Sequence, residues 1–236
     1  MNDVNNKHMG EDDLMINTSA RLPVCLCLYT SGSMAKDDAI EQLNKGIVAF
    51  YETIRNSETA SVSCEIAIVT FNSEVTVVEE FSTVDRKENI TLTANGGTAL
   101  AHGVEKSLDL LEERKRDYKL NGIEYYQPWL VIITDGKPGD PEKLPEVQAR
   151  TKELIENKKL VLWPIAVGSD EDTEKFHQIM KVLDGFSPVP KARHLKDLKF
   201  EDFFEWLGGS VDRTSVAQVG DKVKLDSTGI DSWSEI

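Results

Sequence analysis

Cysteine is scarce in this sequence: Cys25, Cys27 and Cys64 are the only three among 236 residues. Their number is odd, none forms a Cys-x-x-Cys pair, and all lie in apolar strand-like runs. A disulfide framework and a cysteine-held structural zinc are thereby excluded, and a reducing cytoplasm is the expected compartment. Long apolar runs are also missing. The longest, residues 129–133 and 160–167, fall far short of the roughly 20 residues a membrane-spanning helix needs. The N-terminal stretch has no basic region followed by an apolar one, so no signal peptide is expected. Basic residues are in deficit, 27 Lys and Arg against 41 Asp and Glu, for a formal net charge of −14. Such a surface repels nucleic acid and anionic membrane, and neither is expected as a partner. Phosphate-loop, dinucleotide-binding and nucleophile-elbow signatures are absent, as is a His-Glu-x-x-His zinc motif.

What is there is an ordinary globular mix, long enough to bury a sizeable core without metal or disulfides. Leu22–Tyr29 (LPVCLCLY) is apolar throughout and reads as a strand buried on both faces. Ile40, Leu43, Ile47, Phe50, Tyr51 and Ile54 recur at three- and four-residue spacing and predict a helix over 36–56. Cys64–Phe71 is the next strand, turning at Asn72-Ser73 into an antiparallel partner over 74–81. A second helical pattern covers 98–116, and 117–127 reads as an extended surface connection. Strands are expected at Trp129–Thr134, 160–167 and 192–195, and helices at 144–157, 173–183 and 200–211. Strands alternating with helices predict an α/β, doubly wound, mostly parallel sheet with one antiparallel edge hairpin and helices on both faces. The organisation expected is a flexible acidic arm over 1–20, one domain over 21–217, and a C-terminal tail over 218–236, loosely held from 226 onward with Trp233 as its one large anchor.

In such sheets ligands bind outside the carboxyl ends of the strands. Three polar turns fall at such ends or in the adjoining loops: Tyr29-Thr30-Ser31-Gly32-Ser33, Gly96-Gly97-Thr98 and Thr134-Asp135-Gly136. Their hydroxyls and carboxylate are hard oxygen donors of the kind that suit Mg²⁺ or Mn²⁺. Read singly, Ser31-Gly32-Ser33 is a turn with a helix-capping serine, and Asp135 a loop residue. Together they predict a shared rim. His102 follows Thr98 by four residues and reads more simply as a solvated or capping helix residue.

The stretches LPVCLCLYTSGSM, NGGTAL and WLVIITDGKPGD resemble a von Willebrand factor A domain, and most of all its bacterial TerY/YegL-like members of tellurite-resistance and chemical-stress operons. The subgroup likeness extends to Arg21-Leu22-Pro23-Val24, to Thr70-Phe71, and to the ending FFEWLGGSV over 203–211. The resemblance implies a Rossmann-like fold carrying a metal-ion-dependent adhesion site. Carried over by position, Ser31 and Ser33 are direct metal ligands, Thr98 is direct or water-bridged, and Asp135 acts through water. The family's first aspartate falls on position 29, where this sequence has Tyr29. A neutral phenol there replaces a charge, with a ring of a size to fill the metal cavity, so Mg²⁺ or Mn²⁺ is expected to bind weakly or not at all. Asp37, Asp38 or Asp140 could supply a compensating carboxylate, their positions in space being set by the fold.

The function expected is a non-enzymatic protein-interaction module, cytoplasmic and bacterial. The resemblance implies partners such as a PP2C-type phosphatase and a protein kinase of the same operon. A metal-assisted phosphohydrolase using Asp135 and a degenerate structural subunit are the alternatives.

Overall fold

All eight residues of β1 (Leu22–Tyr29) are buried, which requires a strand with neighbours on both edges and layers on both faces. The computed structural model describes residues 19–168, 173–189, 191–225, 229–230 and 234–235, and places β1 within a seven-stranded sheet. The other strands are β2 (Cys64–Phe71), β3 (Val75–Thr83), β4 (Trp129–Thr134), β5 (Val161–Val167), β6 (Arg193–Leu195) and β7 (Ser234–Glu235). Their order is β3-β2-β1-β4-β5-β6-β7. β1 pairs in parallel with both β2 and β4, β5 and β6 continue the parallel run, and β3 lies antiparallel to β2 at one edge.

The helices are α1 (Ala39–Arg55), α2 (Leu100–Leu120), α3 (Leu144–Glu156), α4 (Thr173–Asp184) and α5 (Phe200–Ser215), with single helical turns at Gly32–Ala35 and Ala60–Ser63. α1 packs chiefly on α5. Gly46 lets them approach, since a Cβ there would lie 2.6 Å from the Phe204 ring. In the FFEWLGGSV segment, Phe203, Phe204, Leu207 and Val211 are fully buried, and Trp206 stands edge-on to Trp163 of β5. α2 packs on β1 and β2, and α3 joins α2 through the Arg150–Asp109 ion pair.

The mostly parallel α/β sheet and its antiparallel hairpin are as expected, with three differences. α2 runs four residues further than predicted, because Tyr118 is fully buried and the polar residues around it conceal that from a periodicity count. α5 likewise continues to Ser215. The tail, expected to be loose, returns: Ser234 and Glu235 pair antiparallel with Leu195 and His194. Two residues carry no strand pattern of their own. Trp233 and all but two residues of the acidic arm lie outside the described residues.

Opposite the carboxyl edge, Glu65 is completely buried at the start of β2. It accepts hydrogen bonds from Arg114 Nε at 2.6 Å and the Tyr118 hydroxyl at 2.5 Å, with Arg21 Nε at 3.6 Å. Arg21 also donates to the Val62 carbonyl at 2.6 Å. This cluster ties the β1 entry, β2 and α2 together. Removing one partner of a buried ion pair strands the others and costs about 3–5 kcal/mol, whereas an exposed pair is worth about 0–1 kcal/mol. Glu65→Ala is therefore expected to lower unfolding free energy by at least about 3 kcal/mol in urea titrations. Asp109→Ala, which breaks the exposed pair with Arg150, should cost under about 1 kcal/mol. Equal costs for the two would contradict this account.

Candidate functional site

The sheet order reverses at β1, whose neighbours are β2 on one side and β4 on the other. Loops leaving β1 and β4 therefore diverge, and a crevice opens between them at the carboxyl edge. Backbone hydrogen bonds stitch the loops around it. Asn95 N donates to the Thr30 carbonyl at 2.8 Å and Gly32 N to the Gly96 carbonyl at 3.3 Å. Ala99 N donates to the Asn72 carbonyl, and Gly139 N to the Thr98 carbonyl, each at 2.6 Å. Gly96 has φ of +73°, a conformation glycine adopts without strain.

The four residues singled out in the sequence, Ser31, Ser33, Thr98 and Asp135, meet in this crevice. Ser33 Oγ lies 3.0 Å from Ser31 Oγ and donates to Asp135 Oδ1 at 3.0 Å. At their centre is the phenolic oxygen of Tyr29. It lies 3.0 Å from Thr98 Oγ1 and 3.2 Å from Ser33 Oγ, and accepts a shorter hydrogen bond from Ser31 Oγ. The Tyr29 ring is 4% exposed and packs on Phe71 of the neighbouring strand, centroids 5.6 Å apart. One tyrosine at the end of β1 thus joins hydroxyls from two other loops. Gly136 leaves room for it, since a Cβ there would lie 2.7 Å from the phenolic oxygen and 3.1 Å from Thr98 Oγ1.

Of the carboxylates considered as compensating, Asp37 lines a cavity with Ser33 and Asp135, while Asp140 is engaged on a helix. Asp140 caps α2, accepting from Ala101 N at 3.1 Å and His102 N at 2.9 Å, with His102 Nδ1 at 2.7 Å. A carboxylate at a helix N-terminus is stabilised by the unpaired backbone N–H groups. Asp37 and Asp38 are exposed, in the left-handed region at φ 51° and 56°. Among the described residues no group of three or more His, Cys, Asp or Glu is placed to hold a metal ion. Sequence reasoning missed the cap role of Asp140, which acts on a helix 38 residues earlier. It also missed Lys36, Lys175 and Lys196, which line a cavity with Ser33 and Asp135. Only the fold brings these three lysines together.

Burial raises the Asp135 carboxyl above its ordinary value, against hydrogen bonds from Ser33 and Tyr29 and the positive charges of Lys175 and Lys36. The three thiols are fully buried and free, and burial pushes Cys25 up to about 12. They are packing groups, unable to supply a nucleophile near neutral pH.

A comparison by family matches the von Willebrand factor type A domain over residues 24–201. A curated relative, calcium-activated chloride channel regulator 3A-1 of Mus musculus, is 26% identical over 144 residues. The match covers 58% of this chain and 15% of that much longer protein. Among solved structures, the pilus adhesin SpaC of Lactobacillus rhamnosus GG superposes with a TM-score of 0.66 at 11% identity, over 84% of this chain and 32% of that one. The PilB minor pilin of Streptococcus sanguinis gives 0.58 at 10% identity, over 84% and 62%. Proximal thread matrix protein 1 of the mussel byssus gives 0.52 at 14% identity, over 84% and 47%. These likenesses show the fold.

A carboxyl whose native pKa is raised costs stability while ionised, and the cost is relieved as pH falls through the native value. Asp135→Asn keeps an acceptor for Ser33 and removes the charge. It is expected to raise the unfolding temperature at neutral pH, with the gain shrinking toward acid pH. A lower midpoint for the variant at neutral pH in a thermal series would contradict this.

Proposed function

The chain belongs to the von Willebrand factor type A domain family, and from that premise we propose that it is a non-enzymatic module that binds a protein partner through the rim of Ser31, Ser33, Thr98 and Asp135. The observation that carries this is the convergence of three loops on one partly open patch of oxygens at the crevice where the sheet order reverses. The hydroxyls there hydrogen-bond to one another and to Asp135, an arrangement that presents a surface and arms no nucleophile. The likeness to TerY/YegL-like proteins supports a cytoplasmic setting in a bacterial stress-response or defence system, beside a PP2C-type phosphatase and a protein kinase. Three buried free thiols fit that compartment. No described helix is long and apolar enough to cross a membrane.

Divalent metal is weak or absent in this function. A cation shared by Ser31, Ser33 and Thr98 would stand where the phenolic oxygen of Tyr29 already bonds all three. Mg²⁺ demands near-octahedral geometry at about 2.0–2.1 Å and sheds water reluctantly. Displacing the phenol would leave Asp135, the carboxylate hydrogen-bonded to Ser33, to balance most of two positive charges against its own burial. The hydroxyls and single carboxylate therefore do not fit a tightly held dication.

Restoring a carboxylate at position 29 tests this. Tyr29→Asp is expected to bind Mn²⁺ at least about tenfold more tightly than the unaltered protein by calorimetry, the scale on which supporting ligands alter metal affinity. Equal affinities would contradict it. Phosphate release from nucleotides or phosphopeptides with Mg²⁺ or Mn²⁺, abolished by Asp135→Ala, would overturn the non-enzymatic assignment.

A further inference from the structure

Glycine follows asparagine twice in this chain, at Asn95-Gly96 and Asn121-Gly122. With no Cβ on the following residue, its nitrogen approaches the asparagine side-chain carbonyl unhindered. The sequence makes the two pairs equivalent, and the fold separates them. Asn121 caps the C-terminus of α2. Its Nδ2 donates to the Asp117 carbonyl at 2.8 Å, and Gly122 N donates to the Lys119 carbonyl at 3.3 Å. Its ψ of 3° also turns the Gly122 nitrogen away from the Asn121 side chain. Asn95 stands instead in the exposed loop before α2, on the rim. Backbone bonds pin the chain on either side of it: Asn95 N to the Thr30 carbonyl at 2.8 Å, and Gly32 N to the Gly96 carbonyl at 3.3 Å. The peptide unit between these two points is bonded at neither end. Among the described residues, the Asn95 carbonyl accepts nothing and the Gly96 N–H donates to nothing. Asn95 Oδ1 accepts from Asn72 Nδ2 at 2.8 Å, which draws electron density away from Cγ.

We propose that Asn95-Gly96 is a site of self-modification, at which the chain converts its own rim amide into a carboxylate. The Gly96 nitrogen loses its proton to solvent base and attacks Asn95 Cγ. A C–N bond forms and closes a five-membered succinimide, and the side-chain nitrogen takes up a proton and leaves as ammonia. Water then opens the ring at one of its two carbonyls, giving aspartate at position 95 or its isoaspartyl isomer. Water is the only co-reactant, and nothing is oxidised or reduced. Asn72 Nδ2 already stands at the oxygen on which charge develops during the attack. Either product adds one negative charge beside the cleft that Gly96, Gly97 and Thr98 share with Tyr29. The aspartyl form keeps the bond from Asn72, now charge-assisted. The isoaspartyl form inserts a methylene into the backbone between two points pinned to the loop after β1, so one of those bonds must break. The reaction thus alters the charge and the tethering of the face assigned above to a partner, while its chemistry is independent of that assignment.

The test is peptide mass spectrometry on the full chain aged at physiological temperature in mildly alkaline buffer, with isoaspartyl methyltransferase labelling to separate the two products. Conversion at Asn95 is expected to run at least about tenfold faster than at Asn121, the factor that the two hydrogen bonds holding Asn121-Gly122 supply. The rate should rise with pH, because the attacking nitrogen must first lose its proton. In denaturing urea the two pairs should convert at similar rates. Asn95→Gln, whose closure would need a six-membered ring, should stay unconverted at that position. Asn95→Asp should elute from an anion-exchange column with the aged aspartyl form, and thermal melts check that both variants fold. Equal rates at the two pairs in the folded chain would overturn the proposal, as would an Asn95 that stays intact while Asn121 converts. A preference for Asn95 that persists unchanged in urea would show that the fold does not set it, and would sink the proposal as well.

Discussion

A single phenolic oxygen joins the rim side chains at the carboxyl edge of this sheet, within loops that backbone hydrogen bonds stitch together. Tyr29 ends the central strand, and its hydroxyl bonds side chains from the loop after β1 and from the loop before α2. Ser33 then carries the network to Asp135 at the end of β4. Without that oxygen, Ser31 and Ser33 would keep each other and Asp135, but Thr98 Oγ1 would lose its contact with the phenol, and a polar group left unpaired is costly. A cation could supply the missing partner, but the phenol supplies it without bringing charge. The rim's electrostatics follow: Asp135, raised by burial, shares its cavity with Asp37, Asp197 and lysines contributed by neighbouring elements.

The two ends of the sheet divide the work. At the amino end of the parallel strands, Glu65 lies fully buried among Arg114, Tyr118 and Arg21. At the carboxyl end, the polar groups sit in partly open clefts, and their hydrogen bonds run between loops. The first arrangement specifies packing and the second presents a surface. Parallel sheets impose this division, because successive helices return the chain to the same starting edge and leave the opposite edge to the loops.

Much of the fold was legible in the sequence because the buried parallel strands are uninterrupted apolar runs, as LPVCLCLY and WLVIIT are. Most of the rim was legible for a related reason: a polar turn directly after such a run, as at Ser31, Ser33 and Asp135, must emerge at the carboxyl edge, whereas Thr98 stands before a helix and was placed by the family resemblance. Features built from distant or polar pieces were not legible. β7 is two residues long and takes its place from β6. The last turn of α2 hides the burial of Tyr118 among charged neighbours. Asp140 caps a helix from a loop 38 residues away, and the lysines of the cavity meet only through sheet order. Tyr29 stood out as a departure from the family pattern, but its role as the centre of a hydroxyl network required coordinates.

The most direct measurement of the central claim is a crystal structure of the protein soaked in manganese, with anomalous density examined at the carboxyl edge. The account predicts the Tyr29 oxygen among Ser31, Ser33 and Thr98, with no manganese peak between them. A manganese ion bound by those hydroxyls, with the Tyr29 ring swung out of the crevice, would contradict it.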